Sequence, residues 1–306
     1  MTPDRAITSR PYGGVSDLLR VHEFLAAAAA LSAPCTYWHP GNLSWSMCWS
    51  PAVDPVQSGR LWEDESGELL GFAWFDAPSE VTMQVHPRLR GRGLLEDAML
   101  AWAAQQASLA TADQQAEVTL FVCDDDAAYL TLLAQRSFVR GAGSIVYMEC
   151  PLVAVPPPSR SPSGGLIVRP VAGEHEYAQR VIVHQEANHP SQFTLEAYRR
   201  LRAAPWYDPD FDLVAVTADG TVAGYGLCWF DPATKVGLFE PVATRPAFQR
   251  HGIGTAVMHE GLRQLQARGA PVARLSTGAA EDAALKLYAA VGFRVMRHAT
   301  LYHHSL

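Results

Sequence analysis

The sequence predicts an α/β layer fold repeated twice along the chain, and three observations carry that prediction. Blocks of residues recur at a nearly constant lag, which is the signature of an internal repeat. A proline-rich stretch separates the two copies. Within a copy, short apolar runs of strand type alternate with segments of helical spacing, so helices must cover a mixed sheet.

The repeat is visible in four places. LLGFAWFDA (69–77) returns as VAGYGLCWFDP (222–232), and SRP (9–11) returns as VRP (168–170). HPRLRGRGLL (86–95) returns as RPAFQRHGIG (245–254), with Pro87 and Pro246, and Gly93 and Gly252, each 159 residues apart. LTLLAQRSF (130–138) returns as LKLYAAVGF (285–293), and Phe138 and Phe293 lie 155 apart. Between the copies, VAVPPPSRSPSGG (153–165) can continue neither helix nor strand. The expected organisation is therefore a domain over 1–150, a linker over 151–165 and a domain over 166–306.

In the second copy, 166–171 reads as a strand, and 175–187 and 194–203 read as helices. Residues 211–231 hold two apolar strands around Ala-Asp-Gly, a hairpin signal. Strands follow at 238–244 and 272–278. Between them, helical spacing runs through Met258, Leu262 and Leu265 until Gly269 ends it. A helix over 281–291 and one or two strands over 293–304 complete the copy.

Composition narrows the function. Of 306 residues, 48% are hydrophobic and 18% charged, enough apolar material for two cores. A formal net charge of −7 disfavours a duplex partner, whose phosphates need basic surface. No apolar run reaches the roughly 18–20 residues of a membrane helix. Residues 24–35 are an Ala-rich buried helix rather than an export signal, because Asp4, Asp17, His22 and Glu23 precede them. Five cysteines without CxxC spacing indicate neither a disulfide framework nor zinc, and a reducing cytoplasm suits them. No nucleic acid, membrane or metal partner is expected.

The chemistry sits in VATRPAFQRHGIGTAV (242–257). A strand enters a loop holding Gly252 and Gly254, and the loop opens directly into a helix. Unpaired N–H groups at a helix start converge on one spot, and the macrodipole adds positive character there. That is a cradle for phosphate or pyrophosphate. The nucleotide-triphosphate loop is excluded because no Lys-Ser/Thr follows the glycines, and the dinucleotide loop because GxGxxG is absent.

P-x-x-Q-x-x-G-x-G (Pro246, Gln249, Gly252, Gly254) is followed about thirty residues later by A-x-x-L-Y-x-x-x-G-F (Ala284, Leu287, Tyr288, Gly292, Phe293). Together these blocks resemble the GCN5-related N-acetyltransferase (GNAT) superfamily. The likeness covers the whole second copy and, more weakly, the first. It implies two tandem GNAT-like domains, each with a mixed, mostly antiparallel sheet, arranged like the tandem members that work from the second copy. It further implies a splayed strand pair taking acetyl-CoA beside Val242, Ala243 and Thr244. The pyrophosphate would rest on Gln249, Arg250, His251, Gly252, Ile253, Gly254 and Thr255. Tyr288 falls at the family's general-acid position, against the plainer reading of a core aromatic. Glu240 is the candidate general base, against a strand carboxylate or an acceptor-binding group. Glu281 stands where the family often has a cofactor-contacting Asn.

The resulting expectation is transfer of an acetyl group from acetyl-CoA to a primary amine of a small molecule or peptide. The rival readings are another acyl-CoA as donor, or a CoA-binding sensor or scaffold without turnover. The first copy is expected to be degenerate. Leu95 replaces Gly254 and should crowd the phosphate-facing turn, while Leu133 replaces Tyr288 and Val81 replaces Glu240. Arg88, Arg90 and Arg92 leave cofactor binding there open. Trp38, Trp45 and Trp49 form either an aromatic wall, a docking surface or ordinary core packing. Residues 189–212 are the expected acceptor lid, with Arg199, Arg200, Asp208 and Asp210 read as candidates or surface charges.

Overall fold

A computed structural model of the chain describes residues 7–34, 36–49, 54–77, 79–110, 116–154 and 165–306. Its helices are α1 (Val15–Ala30), α2 (Pro40–Ser46), α3 (Pro55–Ser58), α4 (Leu94–Ala110), α5 (Ala127–Gln135), α6 (Glu174–Ala187), α7 (Leu195–Arg202), α8 (Ile253–Ala267) and α9 (Asp282–Ala290). Its strands are β1 (Thr8–Pro11), β2 (Gly59–Glu63), β3 (Leu69–Phe75), β4 (Val81–Val85), β5 (Glu117–Cys123) and β6 (Val139–Pro151). They continue with β7 (Ile167–Pro170), β8 (Asp212–Val216), β9 (Val222–Phe230), β10 (Val236–Thr244), β11 (Val272–Gly278) and β12 (Arg294–Ser305). Each unit is α/β with a mixed, mostly antiparallel set of strands flanked by helices.

The chain divides into two compact units. Unit 1 is Met1–Trp38, Val53–Val146 and Arg297–Leu306, and unit 2 is His39–Ala52 and Tyr147–Met296. Two segments thus belong to the unit opposite to their sequence copy: residues 39–52, which carry α2, and residues 297–306, which carry most of β12. Within the expected linker, 155–164 lie outside the described residues.

In unit 1, β1, β2, β3 and β4 pair antiparallel in that order. A parallel bridge joins Glu80 to Thr119, and β5 pairs antiparallel with β12 from Cys123–Ala299 to Glu117–Ser305. Buried Trp62, Leu70, Ala73, Leu95, Met99, Trp102 and Leu133 share one core.

In unit 2, which takes only the Tyr147–Pro151 end of β6, the strand order is β6, β11, β10, β9, β8, β7. All five residues of β8 are buried, and their alternation feeds two cores. Leu213 and Ala215 pack with Ile253 and Val257 of α8, while Val214 and Val216 pack with Val183 of α6. Val257, Met258, Leu262 and Leu265 of α8 are completely buried. At ~1.5–3 kcal/mol for each such side chain, this face docks the helix. Gly269, at φ +91°, stops it.

Candidate active site

Strand β10 runs parallel to β11 only briefly: Val236, Gly237 and Leu238 pair with Val272, Ala273 and Arg274. Past those three pairs, β10 continues to Thr244 and β11 to Gly278 without a shared ladder. Val242, Ala243 and Thr244 stay paired on the other side with Gly226, Tyr225 and Gly224 of β9. The pair is therefore splayed, and β10 offers backbone groups toward the opening that an extended arm can pair with.

Register slips by one residue between Phe239 and Val242, so β10 bulges at Glu240–Pro241, whose peptide bond is cis. Pro241 has no N–H to give to a ladder, which suits it to a bulge. The Trp229 indole N–H donates to the Glu240 carbonyl at 2.8 Å and ties the bulge to β9.

The loop beyond β10 has the expected form. Gln249, Arg250, His251 and Gly252 are exposed, and Arg250 (φ +64°) and Gly252 (φ +80°) are left-handed. The His251 ring Nδ1 lies 2.8 Å from the Gln249 carbonyl. Gly252 precedes α8 with no side-chain cap, and Ala256 N–H donates to its carbonyl at 3.0 Å, closing the first turn. The amides of Ile253, Gly254 and Thr255 precede that bond at the positive end of the helix dipole. The two glycines have different reasons. A Cβ on Gly252 would meet nothing within 4 Å, so its left-handed backbone is what requires glycine. A Cβ on Gly254 would press on Leu287 of α9 at 2.9 Å, so this glycine lets α8 approach α9.

Tyr288, the residue after Leu287, packs its ring 6.2 Å from that of Phe293 and is 9% exposed. Its phenol is pushed up to about 12, first by burial and then by the charges of Glu240 and Glu281. Both predicted carboxylates therefore act on the predicted acid. Tyr288 keeps its proton at neutral pH and can donate it. Glu281 is the exposed residue just before α9 and makes no side-chain cap.

A further part of this site was hidden from sequence reasoning. His39 caps α2 with Pro40 at the first helical position, and the cap is reciprocal: Gly41 N–H donates to His39 Nδ1 at 3.0 Å, and His39 N–H donates to Asn42 Oδ1 at 3.0 Å. The other face of His39 meets the Val236 carbonyl at 3.1 Å through Nε2. The Asn42 amide Nδ2 donates to Glu240 Oε2 at 3.4 Å. Gly41 lies so close to Trp229 that any Cβ would overlap the indole. His-Pro-x-Asn was legible as a helix start; nothing local says that this helix serves unit 2.

The tryptophans separate accordingly. Trp45 packs 5.4 Å from His184 and 5.2 Å from Phe193, and Trp49 joins the same unit 2 core. Trp38 stays in unit 1, its backbone N–H on Gln84 Oε1 at 3.0 Å. Two of the polar candidates of 189–212 are engaged in ion pairs: Arg199 with Glu174 at 2.5 Å and Asp208 with Arg268 at 2.7 Å.

The equivalent loop of unit 1 differs from expectation. Leu95 does not crowd a phosphate-facing turn; it is fully buried in the core and lies over Gly71. The residue after it alters the loop instead. Buried Glu96 accepts Gly91 N–H at 2.6 Å and Gly93 N–H at 3.2 Å. Arg88 pairs with Glu68 at 3.0 Å, and Arg90 pairs with Asp126 at 2.5 Å while covering Tyr129. Among the described residues, no group of three His, Cys, Asp or Glu is placed to hold a metal. Cys48, Cys123, Cys150 and Cys228 are not in disulfides, and Cys35 lies outside the described residues. No described helix is long and apolar enough to cross a membrane.

The model of the acetyltransferase (GNAT) family matches residues 178–293, from α6 to the end of the Tyr288 block. A protein named mycothiol acetyltransferase from Nocardioides is 30% identical over 234 residues, 70% of this chain and 76% of its own length. The chain belongs to the GNAT acetyltransferase family. It is an acetyl-transferring enzyme with tandem GNAT domains, and enzymes of this family use acetyl-CoA or a related acyl-CoA. A mycothiol acetyltransferase from Nocardia farcinica is 28% identical, covering 94% of this chain and 93% of its own. Among solved structures, a GCN5-related N-acetyltransferase from Sphaerobacter thermophilus superposes with TM-score 0.69 at 23% identity, over 100% of this chain and 97% of that one. A tandem GNAT protein from the clavulanic acid pathway superposes with TM-score 0.67 at 15% identity, covering 98% of each chain. Those two likenesses speak to the GNAT fold alone.

Proposed function

We propose that the chain transfers the acetyl group of acetyl-CoA to the primary amine of a small molecule or peptide, using the second sequence copy. The observation that carries this reading is Tyr288, its pKa raised by burial and by the charge of Glu240 of β10, next in sequence to Leu287, on which the glycine at the start of α8, Gly254, closes. Acyl transfer to an amine needs a neutral nucleophile, a donor for the oxyanion and a proton for the departing thiolate. Glu240 is proposed as the base acting on the acceptor, a backbone N–H at the end of β10 as the oxyanion donor, and Tyr288 as the acid. The cofactor residues in this reading are Val242, Ala243 and Thr244 for the arm and Gln249 to Thr255 for the pyrophosphate, with Glu281 at the rim. The left-handed Gly252 and the helix-start amides suit an anion.

The proposed division of labour puts acetyl-CoA binding and turnover in 166–306, assisted by 39–52, with the rest of 1–150 carrying no turnover. Support for the second half comes from Glu96, whose carboxylate already accepts the loop amides of that copy. The name those relatives carry favours a small-molecule amine related to mycothiol as acceptor, and the cytoplasm as the working compartment keeps the cysteine thiols reduced. The test is calorimetric titration with acetyl-CoA, followed by a panel of primary amines that includes the amine form of mycothiol. Mass spectrometry then reads the acetylated product. One acetyl-CoA per chain and an acetylated amine is the expected result. Binding without any product across the panel would overturn the enzymatic assignment to this site, and faster turnover with a longer acyl-CoA would overturn the donor.

A further inference from the structure

The Asn42 side chain is held from one end and directed at the other. Its Oδ1 accepts His39 N–H at 3.0 Å, which fixes the amide orientation and leaves Nδ2 as the atom facing Glu240. The helix that carries it is seated by Gly41 against Trp229, and the Trp229 indole N–H holds the Glu240 backbone at 2.8 Å. Backbone and carboxylate of Glu240 are thus positioned through one local assembly in which α2 takes part.

We infer that Asn42 is a positioning residue for Glu240: its amide donates to the carboxylate, orients it and favours its ionised form, so that residues 39–52 tune the acceptor side of the active site. The inference rests on Glu240 being the base. A donor to the ionised form of a carboxyl lowers its pKa, and a like charge raises it. Several ionisable groups lie on elements packed against this part of the site. They are Tyr225 of β9, Tyr288 of α9, His39 at the start of α2, His184 of α6, His259 of α8 and Arg274 of β11. Burial holds His184 and His259 below the usual imidazole range, and Arg274 is paired with Glu149 at 2.9 Å. Arg180 of α6 lies over the Tyr225 ring and pairs with Asp212 at 3.3 Å.

The informative variant is Asn42→Asp. It is isosteric and retains an oxygen to accept His39 N–H, so the α2 cap survives, while the donor facing Glu240 becomes a carboxylate. The first readout needs no acceptor: carbon-13 NMR titration of glutamate-labelled protein, with the Glu240 signal assigned by its loss in Glu240→Gln. Asn42→Asp is expected to move the Glu240 midpoint up by about one pH unit or more, the pair titrating in coupled steps. Asn42→Ala should move it up by less. The second readout is the acid limb of kcat with acetyl-CoA and the fastest amine of the panel, which should shift the same way. The acceptor's own amine pKa is common to all variants, so only the difference between them counts. An unmoved Glu240 midpoint in Asn42→Asp overturns the inference and leaves Asn42 as a helix cap. If the midpoint moves but Glu240→Gln retains wild-type kcat, the contact stands and the base assignment falls instead.

Discussion

Glu96 accepts the Gly91 N–H at 2.6 Å from a fully buried position, and the same carboxylate reaches Gly93 N–H at 3.2 Å. The glycine loop of the first copy thus holds an anion of its own making, where the second copy leaves Ile253, Gly254 and Thr255 at the mouth of a capless helix. Acetyl-CoA should therefore titrate with a stoichiometry of one per chain. Glu96→Ala strands two amides and should destabilise the protein by ~1–3 kcal/mol, read as a lower denaturant midpoint. A stoichiometry of two in the wild type would show that the carboxylate yields to the cofactor.

Removing the phenol should separate chemistry from binding. Tyr288→Phe keeps the ring that lies 6.2 Å from Phe293, so acetyl-CoA affinity should stay near wild type. Loss of a general acid should lower kcat by about 10²–10⁴-fold. With the phenol pushed up to about 12, the acid stays protonated beyond the ordinary tyrosine range, and activity should not decline through Tyr288 ionisation near pH 10. Unchanged kcat in Tyr288→Phe, measured with saturating acetyl-CoA, would remove it from the acid role.

Gly254 offers a mechanical test of the packing between α8 and α9. Gly254→Leu copies the residue found at the aligned position of the first copy, yet here the new side chain must displace Leu287, the neighbour of Tyr288. A displaced acid should lower kcat by about 10²-fold, and the crowded first turn should weaken acetyl-CoA as well. Gly252→Ala meets no atom but must adopt φ +80°, so it should cost about 1–2 kcal/mol through the backbone alone. Equal effects of the two substitutions on stability and on kcat would contradict these separate roles.

Acid sensitivity should trace to His184. Its Nδ1 lies 2.6 Å from the Tyr225 hydroxyl, and burial followed by the nearby Arg180 charge pushes its pKa down to about 3. The unfolded chain takes up this proton near the ordinary value of ~6.5, whereas the folded chain refuses it until about pH 3. Stability must fall as pH drops through that window, by up to ~1.4 kcal/mol per pH unit from this group. His184→Gln keeps a polar partner for Tyr225 without the titration. Denaturant unfolding between pH 7 and 4 should show a shallower decline for it than for wild type.

What the sequence determined by itself was local and repetitive. Gly252 before an apolar helix, Gly269 after it, and the Ala-Asp-Gly hairpin between β8 and β9 each act through a few adjacent residues, because backbone sterics and orphan amides are local properties. The repeat lag then doubled the fold, and the Leu-Tyr pair of α9 stood out because its neighbours stand in register with it. Tertiary structure alone decided which elements meet. Asn42 and Glu240 are 198 positions apart, and α2 joins unit 2 because Gly41 can lie flat on Trp229, a fit no period or propensity encodes. The same holds for residues 297–306, which read as the end of the second copy but pair with β5 in unit 1. A strand's pattern says which face is apolar; which edge it completes depends on the backbone donors and acceptors left open when the rest of the chain has packed.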